Sequence, residues 1–246
     1  DIAYVQVFES TRGLKPGSKV EFEGHMLEVE LGPGLLSKNF DGLQNDLDKM
    51  DGVFLKRGQY TPALEDDKKW TFAPLAKVGD KVIAGDWLGN VKENWLDHKI
   101  MVPFKFEGEY TIETIANQGE YTINDVVATL KDKEGEIHNV TMVQKWPVKL
   151  AVKAYKNKPR PFRLLETGIR VIDTMNPILE GGTGFIPGPF GTGKTVIQHS
   201  LAKHADADII IMAACGERAN EVVEIFSEFP HLEDPRTGRS LYERTT

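Results

Sequence analysis

Gly184-Phe185-Ile186-Pro187-Gly188-Pro189-Phe190-Gly191-Thr192-Gly193-Lys194-Thr195 joins a short apolar run to a glycine-rich loop. From Gly188 to Thr195 it fits G-x-x-x-x-G-K-[ST]. The glycines let the backbone curl until successive N–H groups face one hollow. A helix opening at Lys194 turns its positive end toward the same hollow. The run 184–187 reads as a strand, and Val196, Ile197, Leu201 and Ala202 recur at helical spacing between Lys194 and His204. Strand, loop and helix in that order are the context that separates a phosphate cradle from a chance glycine turn. Gly188, Pro189, Phe190, Gly191, Thr192, Gly193, Lys194, Thr195 and Val196 are therefore expected to bind the phosphates of a nucleoside triphosphate. Lys194 would reach the β- and γ-phosphates, and the Thr195 hydroxyl would ligate Mg²⁺.

Downstream, Asp208-Ile209-Ile210-Ile211-Met212-Ala213-Ala214 is nearly continuously apolar, as a buried parallel strand would be. Between Glu221 and Phe229, Val222, Val223 and Phe226 share a helical face. Strand, helix, strand, helix is the pattern of an α/β domain with a parallel sheet. Cys215-Gly216-Glu217-Arg218 follows the apolar run. Ligands of open α/β sheets sit beyond the carboxyl ends of the strands, so if the two strands joined by the right-handed crossover are neighbours, or one apart, Glu217 faces the γ-phosphate. A carboxylate there can orient and polarise an attacking water, and Arg218 can stabilise charge on the phosphoryl group. The same Glu–Arg pair would serve equally to cap the next helix, and the residues alone leave both readings open.

Upstream, the chain divides into 1–64, 65–150 and 151–246, the last joined through the basic, proline-containing link from Lys156 to Pro161. Ala3 to Phe8 and Lys19 to Phe22 alternate with period two and read as strands. Asp41 to Met50, with Leu43 and Leu47, reads as a short helix, and Asp66-Asp67-Lys68-Lys69 as a solvated turn. The middle stretch is β-rich: Val78-Gly79-Asp80-Lys81-Val82 is echoed by Ile83-Ala84-Gly85-Asp86-Trp87-Leu88. Trp70, Trp87, Trp95 and Trp146 crowd into it and read as the core of a small β domain. His98, His138 and His204 read as surface or packing residues, and Pro235 to Arg239 as an exposed turn.

Of the 246 residues 40% are hydrophobic and 27% charged, enough for a packed core and too apolar for a disordered chain. The net charge of −7 argues against a general nucleic-acid binder. The single cysteine, Cys215, excludes an intrachain disulfide and suits a reducing setting. No apolar run approaches the roughly 20 residues that span a bilayer. The chain starts at Asp1 rather than Met, so its natural N-terminus is expected upstream.

Gly181-Gly182-Thr183, Ile186-Pro187, the loop from Gly188 to Thr195 and Cys215-Gly216-Glu217-Arg218, in this order, resemble the catalytic A subunit of archaeal and vacuolar-type rotary ATPases. Thr167 to Thr174 is similar to the start of that family's nucleotide domain. Glu30 to Leu36 is similar to its segment after the N-terminal barrel, and Lys77 to Leu88 to its inserted "bulge". The resemblance implies a RecA-like P-loop domain, cut short, preceded by the end of a β-barrel (1–64) and a barrel-sandwich-like bulge (65–150). It implies ATP/ADP and Mg²⁺ as ligands, and ATP hydrolysis or synthesis coupled to H⁺ or Na⁺ transport. Lys194, Glu217 and Arg218 would be catalytic. Partners would be the family's B subunits in an alternating hexamer, a central shaft and stator subunits, with no nucleic acid, at the cytoplasmic face of a membrane. A second acidic strand motif, an adenine pocket and a C-terminal helical domain would follow Thr246, so the chain reads as a fragment not expected to turn over ATP alone. Ala219 departs from the usual Gly, Thr192 from a redox-sensitive Cys, and Asn45-Asp46-Leu47 from Arg-Pro-Leu.

Three other readings compete. A non-catalytic nucleotide-binding subunit of the F-type carries Gln where Glu217 stands, and an amide cannot accept a proton from water. F-type catalytic and flagellar-export ATPases share the loop and Gly-Glu-Arg but lack an insertion like 65–150. The Gly-Asp repeats also resemble half of a lipoyl or biotinyl carrier motif, with Lys99 of Asp97-His98-Lys99 as the modifiable lysine, although it lies too far from Leu88.

Overall fold

The computed structural model describes residues 5, 7, 10–22, 24–50, 52, 58–155, 157–189 and 191–246. Among the described residues, ten strands and three α-helices make it mainly β in its first two thirds and helical after that. The strands are β1 (Glu28–Leu31), β2 (Trp70–Pro74), β3 (Lys81–Val82), β4 (Trp87–Glu93), β5 (Leu96–Met101), β6 (Tyr110–Ile115), β7 (Gly119–Tyr121), β8 (Ala128–Lys131), β9 (Ile137–Val140) and β10 (Gln144–Pro147). The helices are α1 (Arg170–Met175), α2 (Lys194–His204) and α3 (Ala219–Glu228).

Two antiparallel four-stranded sheets, ordered β5-β4-β2-β7 and β3-β6-β8-β9, form the middle of the chain. Trp70, Phe72, Val91 and Ile100 fill one core with Leu64, Ile123, Val127 and Met142. Val82, Leu88, Ile112, Leu130 and Val140 fill the other. Strand β4 serves both because its pairing with β5 shifts register between Trp87 and Gly89. At the bulge only glycine fits: a Cβ on Gly89 would collide with the Phe72 ring and lie 2.7 Å from the Ala73 carbonyl oxygen. The ladder β1–β10 ties the segment before this unit to the segment after it.

The Gly-Asp echo is one turn used twice. Asp80 Oδ2 accepts from the Lys77 N–H at 2.8 Å, and Asp86 Oδ2 from the Ile83 N–H at 2.9 Å. Gly79 and Gly85 adopt φ of 88° and 85°, which residues with a Cβ resist. The carrier reading fails here: Lys99 lies inside β5, paired with Asn90, instead of at a hairpin tip. The tryptophan reading is corrected too. Only Trp70 belongs to a core; Trp87 is exposed, and Trp146 is half-buried against Phe104.

Several expected elements do not form. Asp41 to Met50 is helical only as a short 3₁₀ turn, Leu47–Lys49. The Asp41 carboxylate instead takes the amides of Leu43 and Asn45, both at 2.8 Å, a local competition that polar side chains win over helix hydrogen bonds. Lys19–Phe22 pairs with no described strand, and Val20 and Phe22 are exposed. Ala3 to Phe8 falls largely outside the described residues. Asp66 and Asp67 form the expected turn.

In the last third the α/β order is present in reduced form. The run 184–187 forms no strand. Ile210 meets Thr245 in a parallel bridge carried by hydrogen bonds Ile210 N–H to Arg244 O, Thr246 N–H to Ile210 O and Met212 N–H to Thr246 O. The run 208–214 forms no strand beyond this one bridge: Ile210 is buried, but Ile209 and Ile211 are exposed, so no neighbouring strands cover its two faces. Ala202, Ile210, Phe229 and Leu241 form the core that joins α2, this bridged segment and the end of α3. Among the described residues no helix is long and apolar enough to cross a membrane.

Candidate functional site

The loop is shaped by its glycines. Gly191 and Gly193 take φ of 80° and 82°. Gly193 is the residue before α2, so the left-handed turn ends where the helix begins. Thr192 Oγ1 donates to the Pro189 carbonyl at 2.7 Å and closes the loop on itself. Gly188 abuts that hydroxyl: a Cβ there would lie 2.5 Å from Thr192 Oγ1. Phe190 lies outside the described residues. Lys194 and Val196 are exposed on the first turn of α2, and Thr195 is half-buried.

Glu217 and Arg218 lie on the two residues ahead of α3, both exposed. Arg218 is the N-cap residue, with extended φ of −70° and ψ of 140°, and its carbonyl accepts the N–H groups of Glu221 and Val222. The cap is made by the Arg218 backbone, with no side-chain capping hydrogen bond. Neither the Lys194 nor the Glu217 side chain makes a hydrogen bond or ion pair among the described residues.

One contact with no sign in the sequence ties the two helix starts together. Thr195 Oγ1 donates to Glu221 Oε2 at 3.3 Å. Glu221 is in the first turn of α3, four positions after Glu217. The contact therefore brings the N-terminal end of α3 beside that of α2. Periodicity shows Glu221 only as a polar position, since a contact between helices leaves no local pattern.

These features fit a triphosphate with a hard cation. Two helix N-termini present free N–H groups and positive dipole ends. The glycine at 188 lets the loop close tightly on the Thr192 hydroxyl, where a Cβ would not fit. A hydroxyl and a carboxylate, Thr195 Oγ1 and Glu221 Oε2, form the all-oxygen donor set that suits Mg²⁺.

Elsewhere, Asp132, Glu136 and His138 bring ligand atoms within 4.8 Å of one another on the β8–β9 hairpin. The turn accounts for them. Asp132 Oδ1 accepts the Glu134 and Glu136 amides at 2.9 Å, and Oδ2 binds His138 Nε2 at 2.9 Å. His138 also packs on Phe106 and Tyr110.

Helix α1 is set by Thr167, fully buried, whose N–H and hydroxyl both donate to Asp173 Oδ1, at 3.0 and 2.5 Å. Those bonds hold the Asp173 carboxyl below its usual range. Gly168 beside it abuts the other end of α2, with a built Cβ only 2.8 Å from His204 Cβ.

Comparison with known proteins agrees with this layout. Residues 1–24 match the ATP synthase alpha/beta family β-barrel domain, and 61–149 match the ATP synthase alpha/beta subunit barrel-sandwich domain. Residues 168–245 match the ATP synthase alpha/beta family nucleotide-binding domain. The chain is 52% identical over 246 residues to the V-type ATP synthase alpha chain 1 of Treponema pallidum, covering 99% of this chain and 42% of that protein. It is 53% identical over 243 residues to the V-type ATP synthase alpha chain of Borrelia recurrentis, covering 98% and 42%. With that of Protochlamydia amoebophila it shares 51% over 246 residues, covering 99% and 41%. It thus spans less than half the length of these relatives. On its own matches along nearly the whole chain, it belongs to the ATP synthase alpha/beta family.

Proposed function

We propose that this chain is the phosphate-binding and water-activating part of a V-type alpha chain that hydrolyses or synthesises ATP. The observation that carries the reading is the Thr195–Glu221 contact, which joins the helix after the glycine loop to the helix after Gly216-Glu217-Arg218. Loop amides, the α2 dipole and the Lys194 ammonium bind and neutralise the phosphates. Thr195 and Glu221 would hold Mg²⁺, which when bound polarises phosphoryl oxygens. Glu217 orients the attacking water and accepts its proton, and Arg218 offsets charge on the phosphoryl oxygens. The relatives' names support an assembly of several subunits. In this reading the alpha chain alternates with B subunits around a shaft, at the cytoplasmic face of a membrane, and drives or is driven by ion movement.

The test uses the full-length subunit in its complex. Lys194→Ala is expected to abolish nucleotide binding. Glu217→Gln is expected to keep binding while hydrolysis falls by about 10²-fold or more. Normal turnover in the Glu217→Gln complex would refute the catalytic assignment.

A further inference from the structure

The segment 233–246 carries two arginines onto the far end of α2. Arg244 is buried, as is Asp234, and its Nε lies 3.1 Å from Asp234 Oδ2. Its Nη2 donates to the Ala202 and Lys203 carbonyls at 3.5 and 3.4 Å, and its Nη1 to the Ala207 carbonyl. Arg236 reaches the same place from the turn that sequence alone gives as merely exposed. Its Nη1 donates to Asp206 Oδ1 at 2.7 Å and its Nη2 to the Ala207 carbonyl at 2.5 Å. Both guanidinium groups thus close on 202–207, where α2 ends and the chain turns into the segment bridged at Ile210. The helix C-terminus offers unpaired carbonyls and negative dipole charge, which suits this forked, cationic recognition.

From that junction two arms run out. Helix α2, of 11 residues, carries Lys194 and Thr195 at its opposite end, about 16 Å away at 1.5 Å per residue. The other arm is the extended segment through Ile210, which leads to Glu217 seven residues on. We propose that Arg236 and Arg244 are positioning residues, fixing the angle at which α2 and the segment through Ile210 diverge and so the placement of Lys194 relative to Glu217. This inference rests on the reading that Lys194 and Glu217 act on one nucleotide. A tilt of about 4° at the junction moves the start of α2 by about 1 Å, given its length. A misplacement of about 1 Å costs about 10²-fold in rate. The glycine loop itself travels with α2, so phosphate binding is spared.

The experiment measures kcat, KM and Mg-ADP affinity in the full-length complex for Arg236→Ala and Arg244→Met. Removing half of a buried ion pair destabilises strongly, so Arg236→Ala decides the matter if Arg244→Met does not assemble. The expected result is a kcat lower by about 10- to 100-fold, with KM and Mg-ADP affinity within about threefold. Arg236→Lys, which keeps a cation for Asp206 but not the fork to Ala207, is expected to fall between. Unchanged kcat in Arg236→Ala, or a matching loss of Mg-ADP affinity, overturns the inference. Glu217→Gln run in parallel separates the two ideas: if it turns over normally, the functional reading fails; if it is inactive while Arg236→Ala is normal, only the positioning role fails.

Discussion

At position 188 a single methyl group has nowhere to go. A Cβ there would sit 2.5 Å from Thr192 Oγ1 and 3.3 Å from Thr192 Cβ, and the hydroxyl is held by the Pro189 carbonyl. Overpacking of this kind costs about 1–3 kcal/mol, equivalent to roughly tenfold or more in affinity if the loop must open to bind. Gly188→Ala is therefore expected to weaken Mg-ADP binding by about tenfold or more, and Gly188→Ala with Thr192→Ala to recover much of it, because the closest atom is gone. Equal affinities of the single and double variants, read by titration of the full-length subunit, would rule out this steric account. The loop was legible because its constraints are local: glycines where φ is positive, and a helix start at Lys194. Glu221 and Arg236 were not legible, because each is defined by what it meets 26 or 30 residues away.

Elements were legible where pattern and partner agree. The Gly-Asp repeats read as turns because each Asp caps an amide three positions back, a contact encoded within four residues. Lys19 to Phe22 and 184–187 show that alternation or apolarity predicts a strand only if another strand is present to pair with it. Gly89, within β4, carries a constraint that no local pattern shows. There the sheet brings β2 so near that a Cβ would meet both a ring and a backbone oxygen. The ring can turn, but the Ala73 carbonyl is held in the sheet. Gly89→Ala is expected to destabilise the full-length subunit by about 3 kcal/mol or more, at the upper end of overpacking costs. Gly108→Ala, with φ of 90° and nothing within 4 Å, is expected to cost only the left-handed strain of about 1–2 kcal/mol. The two denaturant midpoints compare the terms directly; a larger loss for Gly108→Ala would contradict the packing argument.

At the scale of the whole molecule, the tip of the β4–β5 hairpin joins the double-sheet unit to the last third of the chain. Asn94 Nδ2 donates to the Glu243 carbonyl at 2.9 Å and to Ser37 Oγ at 3.2 Å, and the Ser37 N–H donates to Thr245 O at 2.9 Å. Next to it Glu93 is buried and accepts the Gly34 and Leu36 amides at 2.7 and 3.2 Å and His98 Nδ1 at 2.6 Å. None of this was readable from sequence, where Glu93 and His98 look like ordinary polar residues of a β-hairpin. Burial alone would raise the Glu93 pKa above its ordinary value of 4.5. The His98 hydrogen bond and charge, with the two amides, outweigh that and lower it. A carboxylate whose folded pKa is depressed adds stability that is complete above its unfolded value and is lost as pH falls through the folded one. Acidification from about pH 6 to below pH 4, across the ordinary carboxylate range, should therefore loosen this junction. Glu93→Gln keeps an oxygen for the amides but removes the charge that answers His98. It is expected to lower stability at neutral pH by about 1–3 kcal/mol, as for a hydrogen bond to a charged group. The same variant should flatten the acid limb of the stability profile, because Gln does not titrate. Denaturant unfolding of the full-length subunit at stepped pH measures both. A variant that is weaker at neutral pH yet keeps the full acid slope would move the pH dependence away from Glu93 and onto other carboxylates.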